Sequence, residues 1–289
     1  MLDRVVSEID RIGRDRGQTV LSGDLLALDR QLDDIFTGWA RRWNAVEYRF
    51  PFCVEARHLA RLDYFQSFPH LATFPVSLDG EHDNIEEFSK KHAGQCEGGV
   101  SLTKLAPTRH VLTPAACYHV YIELEGEVLE APRYVTTRAT CFRNEREYTP
   151  LERQWNFSMR EIVCLGSAGE VEDFLIRSTR VINHFAATIG LPLDWADATD
   201  PFFSPAGNPK YLFQKLEPVK RELVLEDGLA IASTNFHRDY FGEAFHISRN
   251  GESACSGCVA FGMERWLAAF LRTYGEDREQ WPCLGEAIP

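Results

Sequence analysis

The sequence has no run of roughly 18 uncharged apolar residues, the length a helix needs to cross a bilayer. Its first residues, MLDRVVSEIDRIGRDRG, alternate acids and bases where a secretory signal would carry an apolar core. The expectation is a cytoplasmic protein with no membrane partner. Positive charge is also scarce: 31 Lys and Arg face 43 Asp and Glu, a net charge of −12. That balance argues against a chain whose main business is gripping a long phosphate backbone. The common signatures are missing too, with no GxGxxG after a strand, no GxxxxGK[ST], no HExxH and no GxSxG. Cys255 and Cys258 form a CxxC, but no second CxxC or HxxxH completes a standard structural zinc site. Eight cysteines scattered through a chain of this expected location argue against a disulfide framework, so each is buried filler, a metal ligand or a nucleophile.

What is present fits a packed globule, 44% hydrophobic and 12% aromatic. A length of 289 residues allows one large domain or two small ones, and the lack of an internal repeat or low-complexity linker favours one. Apolar spacing predicts helices over the first 50 residues, through Val5, Val6, Ile9 and Ile12 and again from Leu25 to Trp43. Prolines break 45–78 into helix, turn and extended chain, and 79–92 reads as a charged turn with a short helix. Strands are predicted at RHVLTPAACYHVYIELEG, YVTTRATCFRNE, QWNFSMREIVCLG, RELVLED, LAIASTN and AFHISRN. Helices are predicted over 168–189, stopped by Gly190, and from about Met263. Strands in hairpin-like succession with helices between them point to an α+β fold, an antiparallel sheet flanked by helices.

Three constellations carry chemical possibilities. In CFRNE followed by RQWNFSMRE, an arginine ending one strand and an aromatic starting its partner either clamp a nucleotide or form a solvated, charged hairpin. In GCVAFGMERW, Arg265 sits in the first turn of a helix, against the helix dipole, and a triphosphate is one reason to keep it there. In LTPAAC, the lone Cys117 opens a strand, where a buried structural thiol is the alternative to a functional one. His184 reads as a half-buried histidine on a helix face, and no role is assigned to His237 or His246.

Together and in this order, the constellations resemble the catalytic core of class II aminoacyl-tRNA synthetases of the seryl branch. FRNE…RQWNF is similar to motif 2 and GCVAFGMER to motif 3. LTPAAC, Glu161 and Cys258 are similar to the zinc triad of the zinc-dependent seryl type. Without a tRNA-binding coiled-coil arm in the sequence, the set resembles the bacterial amino acid:[carrier protein] ligases, which load phosphopantetheine carriers.

The resemblance implies one catalytic domain over 1–289, with 1–44 a helical extension and 45–275 the class II core. It implies a Zn²⁺ held by Cys117, Glu161 and Cys258 with a fourth position for the substrate amine, and Mg²⁺ bound with ATP. Arg143 would contact the α-phosphate, Glu145 the adenine amino group, and Phe157 the face of the ring. Arg153 and Gln154 would return toward the nucleotide, and Arg265 would lie near the γ-phosphate. Leu229, Ala230, Ile231 and Ala232 would line the ATP pocket through their backbone, with Asn235 and Glu161 on the amino acid. No acid stands in the four residues before Ser233 where a magnesium ligand is expected, and Glu222 is the nearest substitute. The implied reaction activates a small amino acid, glycine or alanine with serine as competitor, and passes it to a carrier thiol. An aminoacyl-tRNA ligase and an inactive, regulatory synthetase paralogue are the alternatives. Segment 47–75, placed like motif 1, would form a homodimer interface, and Arg57 and Arg61 are candidates for meeting an acidic carrier.

Overall fold

The computed structural model describes residues 17–92 and 99–286. The expected helix through Val5, Val6, Ile9 and Ile12, and Cys96, lie outside the described residues. The chain begins with helix α1 (Gly23–Arg42), then strands β1 (Val46–Tyr48) and β2 (Cys53–Glu55) and helices α2 (Ala56–Arg61), α3 (Tyr64–Ser67) and α4 (His82–Lys91). Next come β3 (His110–Leu112), α5 (Tyr118–Glu123), β4 (Val128–Leu129), β5 (Arg133–Phe142), β6 (Asn156–Gly166), α6 (Ala168–Ile189) and β7 (Leu193–Ala198). The last third holds α7 (Pro209–Leu216), β8 (Lys220–Leu225), β9 (Ala230–Arg238), α8 (Tyr240–Phe245), β10 (Ser248–Arg249), β11 (Glu252–Ser253), β12 (Cys255–Gly262) and α9 (Met263–Tyr274).

Seven strands form one sheet in the order β1-β5-β6-β12-β9-β8-β7. Every pair is antiparallel except β1 with β5, which is parallel. The sheet is therefore mixed at one edge, and the expectation of a wholly antiparallel sheet is corrected there. Residues 49–132 carry the chain from β1 back to the same end of the sheet, a return that a hairpin cannot make.

Alternation along the strands sends side chains to two different cores. Ile162, Val259 and Phe261 face α1, α6 and α9, where Leu32, Phe36, Phe185 and Trp266 are buried. Val163, Leu165 and Cys258 face the opposite side, against α5 and α8. Helix α6 is framed as its sequence predicts, by a Ser167–Glu170 capping box and by Gly190 in the left-handed region at φ 75°. Gly257 has no room for a side chain, since a Cβ would lie 2.9 Å from the Asn235 carbonyl oxygen and 2.7 Å from Val171.

Three local expectations are corrected. RHVLTPAACYHVYIELEG is not one strand: β3 stops before Thr113 and Pro114, and Val120, Tyr121 and Leu124 bury one face of helix α5. AFHISRN is divided between the end of α8 and the two-residue β10. The helix expected over the first 50 residues ends at Arg42, and β1 follows. No helix among the described residues is long and apolar enough to cross a membrane.

Candidate active site

The cavity lies on the α5 and α8 side of the sheet and has a volume of about 240 Å³. Period-two alternation builds its floor: Phe157, Met159 and Glu161 from β6, Cys258, Ala260 and Gly262 from β12. Strand β9 adds Ser233, Asn235 and His237. Register fixes the neighbours, with Cys258 opposite Asn235 and Ala260 opposite Glu161.

At the deep end, ligand atoms of Cys117, Glu161 and Cys258 lie within 4.8 Å of one another, and all three residues are buried. Cys117 arrives from the turn that opens α5, which the Pro114 break makes possible. One Glu161 carboxylate oxygen, Oε2, is buried without a hydrogen-bond partner. A hydrogen bond with Cys258, and then burial, push the Cys117 thiol well up from its ordinary range. At Cys258 the bond with Cys117 works downward, but burial and the Glu161 charge outweigh it and the thiol ends raised. Burial likewise raises Glu161, against the pull of both thiols. Three acidic groups that resist ionisation together, one with an orphaned oxygen, form a donor set that could hold a metal ion, whose positive charge would let them ionise. The adjacent CxxC partner Cys255 lies an odd number of residues from Cys258 on β12, so it points to the opposite face.

At the open end, Arg143, Arg153 and Arg265 converge. Arg143 donates from Nε to the Pro114 carbonyl at 3.2 Å and lies over the Phe157 ring, 5.0 Å from its centre. Arg265 donates to the carbonyls of Glu152, at 2.7 Å, and Ala230, at 2.9 Å. Neither forms an ion pair among the described residues. Burial, and then the charge of Arg143, hold the Arg265 guanidinium below its ordinary value. Two guanidiniums fixed by backbone carbonyls, with no carboxylate at ion-pair distance, keep donors that could meet an anion, although Glu145 and Glu222 act on Arg265 from farther off. Arg153 closes a tight loop with Thr149, and Gln154 is buried with its side-chain oxygen unpartnered.

Glu145, Ala230, Ile231 and Ala232 also line the cavity, so every sequence-predicted site residue is brought together except Leu229. Leu229 packs against the core on the other side of the sheet, and its carbonyl accepts the Leu225 N–H. Glu222 lines the cavity as well, paired with Lys220 at 3.0 Å.

Sequence reasoning missed Asp200, Lys220 and His237. Lys220 bridges Asp200 and Glu222, and Gln214 donates to Asp200 at 2.9 Å. Although burial works upward on Asp200, Lys220 brings it below the usual carboxylate range. The half-buried His237 ring is held down to about 4 by desolvation, partly offset by Asp200. Its signal was present in the sequence: Ser233, Asn235 and His237 follow one strand period. His184, expected to be half-buried, is exposed on α6.

No protein-family model matches the chain. Amino acid--[acyl-carrier-protein] ligase 1 of Bradyrhizobium diazoefficiens is 36% identical over 242 residues, covering 81% of this chain and 73% of the relative. Amino acid--[acyl-carrier-protein] ligase 2 of the same organism is 36% identical over 250 residues, 84% and 74% of the two chains. The type-2 serine--tRNA ligase of Methanothermobacter thermautotrophicus is 26% identical over 94% of this chain, which spans 56% of that relative. Among solved structures, M. kandleri SerRS in complex with A. aeolicus tRNASec superposes with a TM-score of 0.83 at 20% identity. That match covers 98% of this chain and 60% of the other, and it shows the class II synthetase fold.

Proposed function

The chain belongs to the amino acid--[acyl-carrier-protein] ligase family, and we propose from that premise that it activates a small amino acid with ATP and delivers it to the phosphopantetheine thiol of a carrier protein. The observation that supports this most is the meeting, in one cavity, of the Cys117–Glu161–Cys258 cluster with two guanidiniums that backbone carbonyls fix and no ion pair engages among the described residues. One end suits an amine and the other a polyphosphate, the two substrates that an adenylate-forming ligase must hold together.

In this reading Arg143 binds the α-phosphate and Arg265 the γ-phosphate, each aimed by the backbone carbonyls that fix it. Their charge stabilises the phosphorus centre as the substrate carboxylate attacks in line and pyrophosphate leaves. Phe157 packs on the adenine while Glu145 accepts from its exocyclic amine. Cys117, Glu161 and Cys258 hold Zn²⁺, which when bound supplies a Lewis-acidic position for the amino group. Asn235 faces the same cavity, and the amino acid held there is glycine or alanine, with serine the competitor. Glu222 is the proposed magnesium-side carboxylate, positioned through Lys220. The thiol of the carrier then attacks the aminoacyl-adenylate, and AMP departs.

The same reading makes residues 1–289 one catalytic domain, acting in the cytoplasm as a homodimer through segment 47–75. Phe52 and Phe74 in that segment are large apolar side chains left exposed, which supports the assignment. Arg57 is paired with Glu55, and Arg61 with Glu125, so the proposed carrier contacts start from ion pairs that must be traded.

The test is ATP–pyrophosphate exchange driven by glycine, alanine or serine, followed by loading of holo-carrier and of tRNA. Exchange with transfer to the carrier thiol is expected. Exchange with transfer only to tRNA selects the aminoacyl-tRNA ligase, and no exchange with any amino acid selects the inactive paralogue.

A further inference from the structure

Against β12, strand β9 departs from regular pairing at one place. Phe236 pairs with Gly257 and Arg238 with Ser256, so His237 between them has no partner on β12: it is the extra residue of a β-bulge. Arg238, the residue after it, takes a left-handed conformation at φ 55°. Bulges re-aim a side chain, and this one brings the imidazole to the metal-ligating cluster.

The ring has partners on both sides. Its Nδ1 lies 3.1 Å from the Tyr121 hydroxyl and 3.2 Å from the Ser256 hydroxyl, and both of those residues are fully buried. Its Nε2 lies 3.7 Å from Cys258 Sγ. The ring nitrogens stay outside the group of donor atoms that lie within 4.8 Å of one another, so His237 is a neighbour of the triad and not a fourth member. A cysteine that ligates a metal does so as a thiolate, which accepts hydrogen bonds and donates none. The proton on the imidazole must then sit on Nε2, and the bare Nδ1 needs a donor, which the Tyr121–Ser256 hydroxyl pair provides. Asn235, directly across the strands from Cys258, donates to the same sulfur from Nδ2 at 3.4 Å.

Resting on the reading that Cys117, Glu161 and Cys258 hold zinc, we infer that His237 is a positioning residue: its Nε2–H and the Asn235 amide fix and partly neutralise the Cys258 thiolate, while Tyr121 and Ser256 fix the histidine tautomer. Two donors on one sulfur reduce its electron donation and leave the metal a stronger acceptor for an amine. Partners of this kind orient first ligands and tune the ion, and their loss typically costs about 10- to 100-fold in metal affinity or activity.

The experiment uses the full chain loaded with Co²⁺ in place of Zn²⁺, reading the sulfur-to-cobalt charge-transfer band, alongside zinc affinity by chelator competition. In His237→Ala the more electron-rich thiolate is expected to move the band to longer wavelength, with zinc binding weakened about tenfold or more. His237→Gln, whose amide replaces the Nε2 donor, returns both toward the parent. Tyr121→Phe, which keeps the ring stack on Phe241 at 3.8 Å, gives a smaller shift in the same direction. An Ala variant with the parent's band and affinity overturns the inference, and so does a Gln variant no better than Ala. Where His237→Ala fails to fold by circular dichroism, an unmoved band in Tyr121→Phe overturns it instead. A parent chain that shows no thiolate–cobalt band overturns the zinc reading itself, and these metal readouts do not depend on which acceptor is loaded.

Discussion

Glu264 accepts the backbone N–H of Ser158 with both carboxylate oxygens, at 2.9 and 2.8 Å. The contact joins the first turn of α9, which carries Arg265, to the strand that presents Phe157. Burial raises Glu264 despite that bond, so the carboxylate is held at a cost. Glu264→Ala strands a buried N–H and is expected to lower unfolding free energy by about 1–3 kcal/mol in urea titration. Glu264→Gln keeps one acceptor and should lose less; equal losses in the two variants would show that the bond is not what matters.

Arg143→Lys keeps a positive charge but gives up the planar fork that lies over Phe157. Amino-acid-dependent ATP–pyrophosphate exchange should fall by about 10²-fold, the scale seen when one donor to a developing charge is removed. A lysine variant with parental exchange would remove Arg143 from the phosphate site.

Cys117→Ala and Cys258→Ala each take a sulfur from the buried cluster. Bound zinc, measured by mass spectrometry of purified protein, should drop from about one per chain to near zero, and amino-acid activation should drop with it. Unchanged exchange in zinc-free protein would detach the cluster from catalysis.

Arg160 is buried and donates to Asp33 on α1 at 2.8 and 2.9 Å and to Glu47 on β1 at 2.8 Å. Arg138 adds bonds to Asp29 at 2.8 Å, so α1 is pinned to the sheet by ions as well as by Phe36 and Trp39. Arg160→Ala breaks the buried pair and is expected to cost on the order of 3 kcal/mol in thermal or chemical unfolding. Losing less than about 1 kcal/mol would place the anchoring of α1 in its apolar face alone.

Glu170, in the capping box of α6, is held down to about 2 by Arg249 first and by the Ser167 backbone and hydroxyl. A depressed carboxylate contributes stability that is complete above its ordinary 4.5 and fades as pH falls through about 2. Parent and Glu170→Gln should therefore differ at pH 7, by about 1 kcal/mol as for a helix cap, and converge near pH 2. A difference that persists at pH 2 would contradict the assignment.

Much of this molecule is written in local pattern. The run QWNFSMREIVCLG has strand composition on both faces, and the α6 helix carries its own start and stop in Ser167, Glu170 and Gly190. Helices α5 and α8 are not legible that way. Each has six residues rich in aromatics, a composition shared with strands, and tertiary packing decides: Tyr121 and Phe241 stack at 3.8 Å between them. The arginines and triad residues were legible through the motifs they resemble. Leu229 was misplaced because the residues before Ala230 belong to the turn from β8, where the Leu225 N–H captures the Leu229 carbonyl. His237 shares a strand face with Asn235 in any reading, but its approach to Cys258 depends on a bulge that only the pairing register reveals.

The strand order carries a consequence for how the chain is made. Strand β12, near the C-terminus, lies between β6 and β9, and it brings both Cys258 and the link to Arg265. During synthesis β6 and β9 are complete before the strand that separates them exists, so each lacks its β12 neighbour while β5 and β8 are already there to pair on the other side. Closing such distant pairings is slow, because the entropy of the loop is spent before the contacts return it. Cys258 and Arg265 therefore reach Cys117, Glu161 and Arg143 only once β12 has been made. Until then the facing edges of β6 and β9 are uncovered and depend on β12 for their pairing.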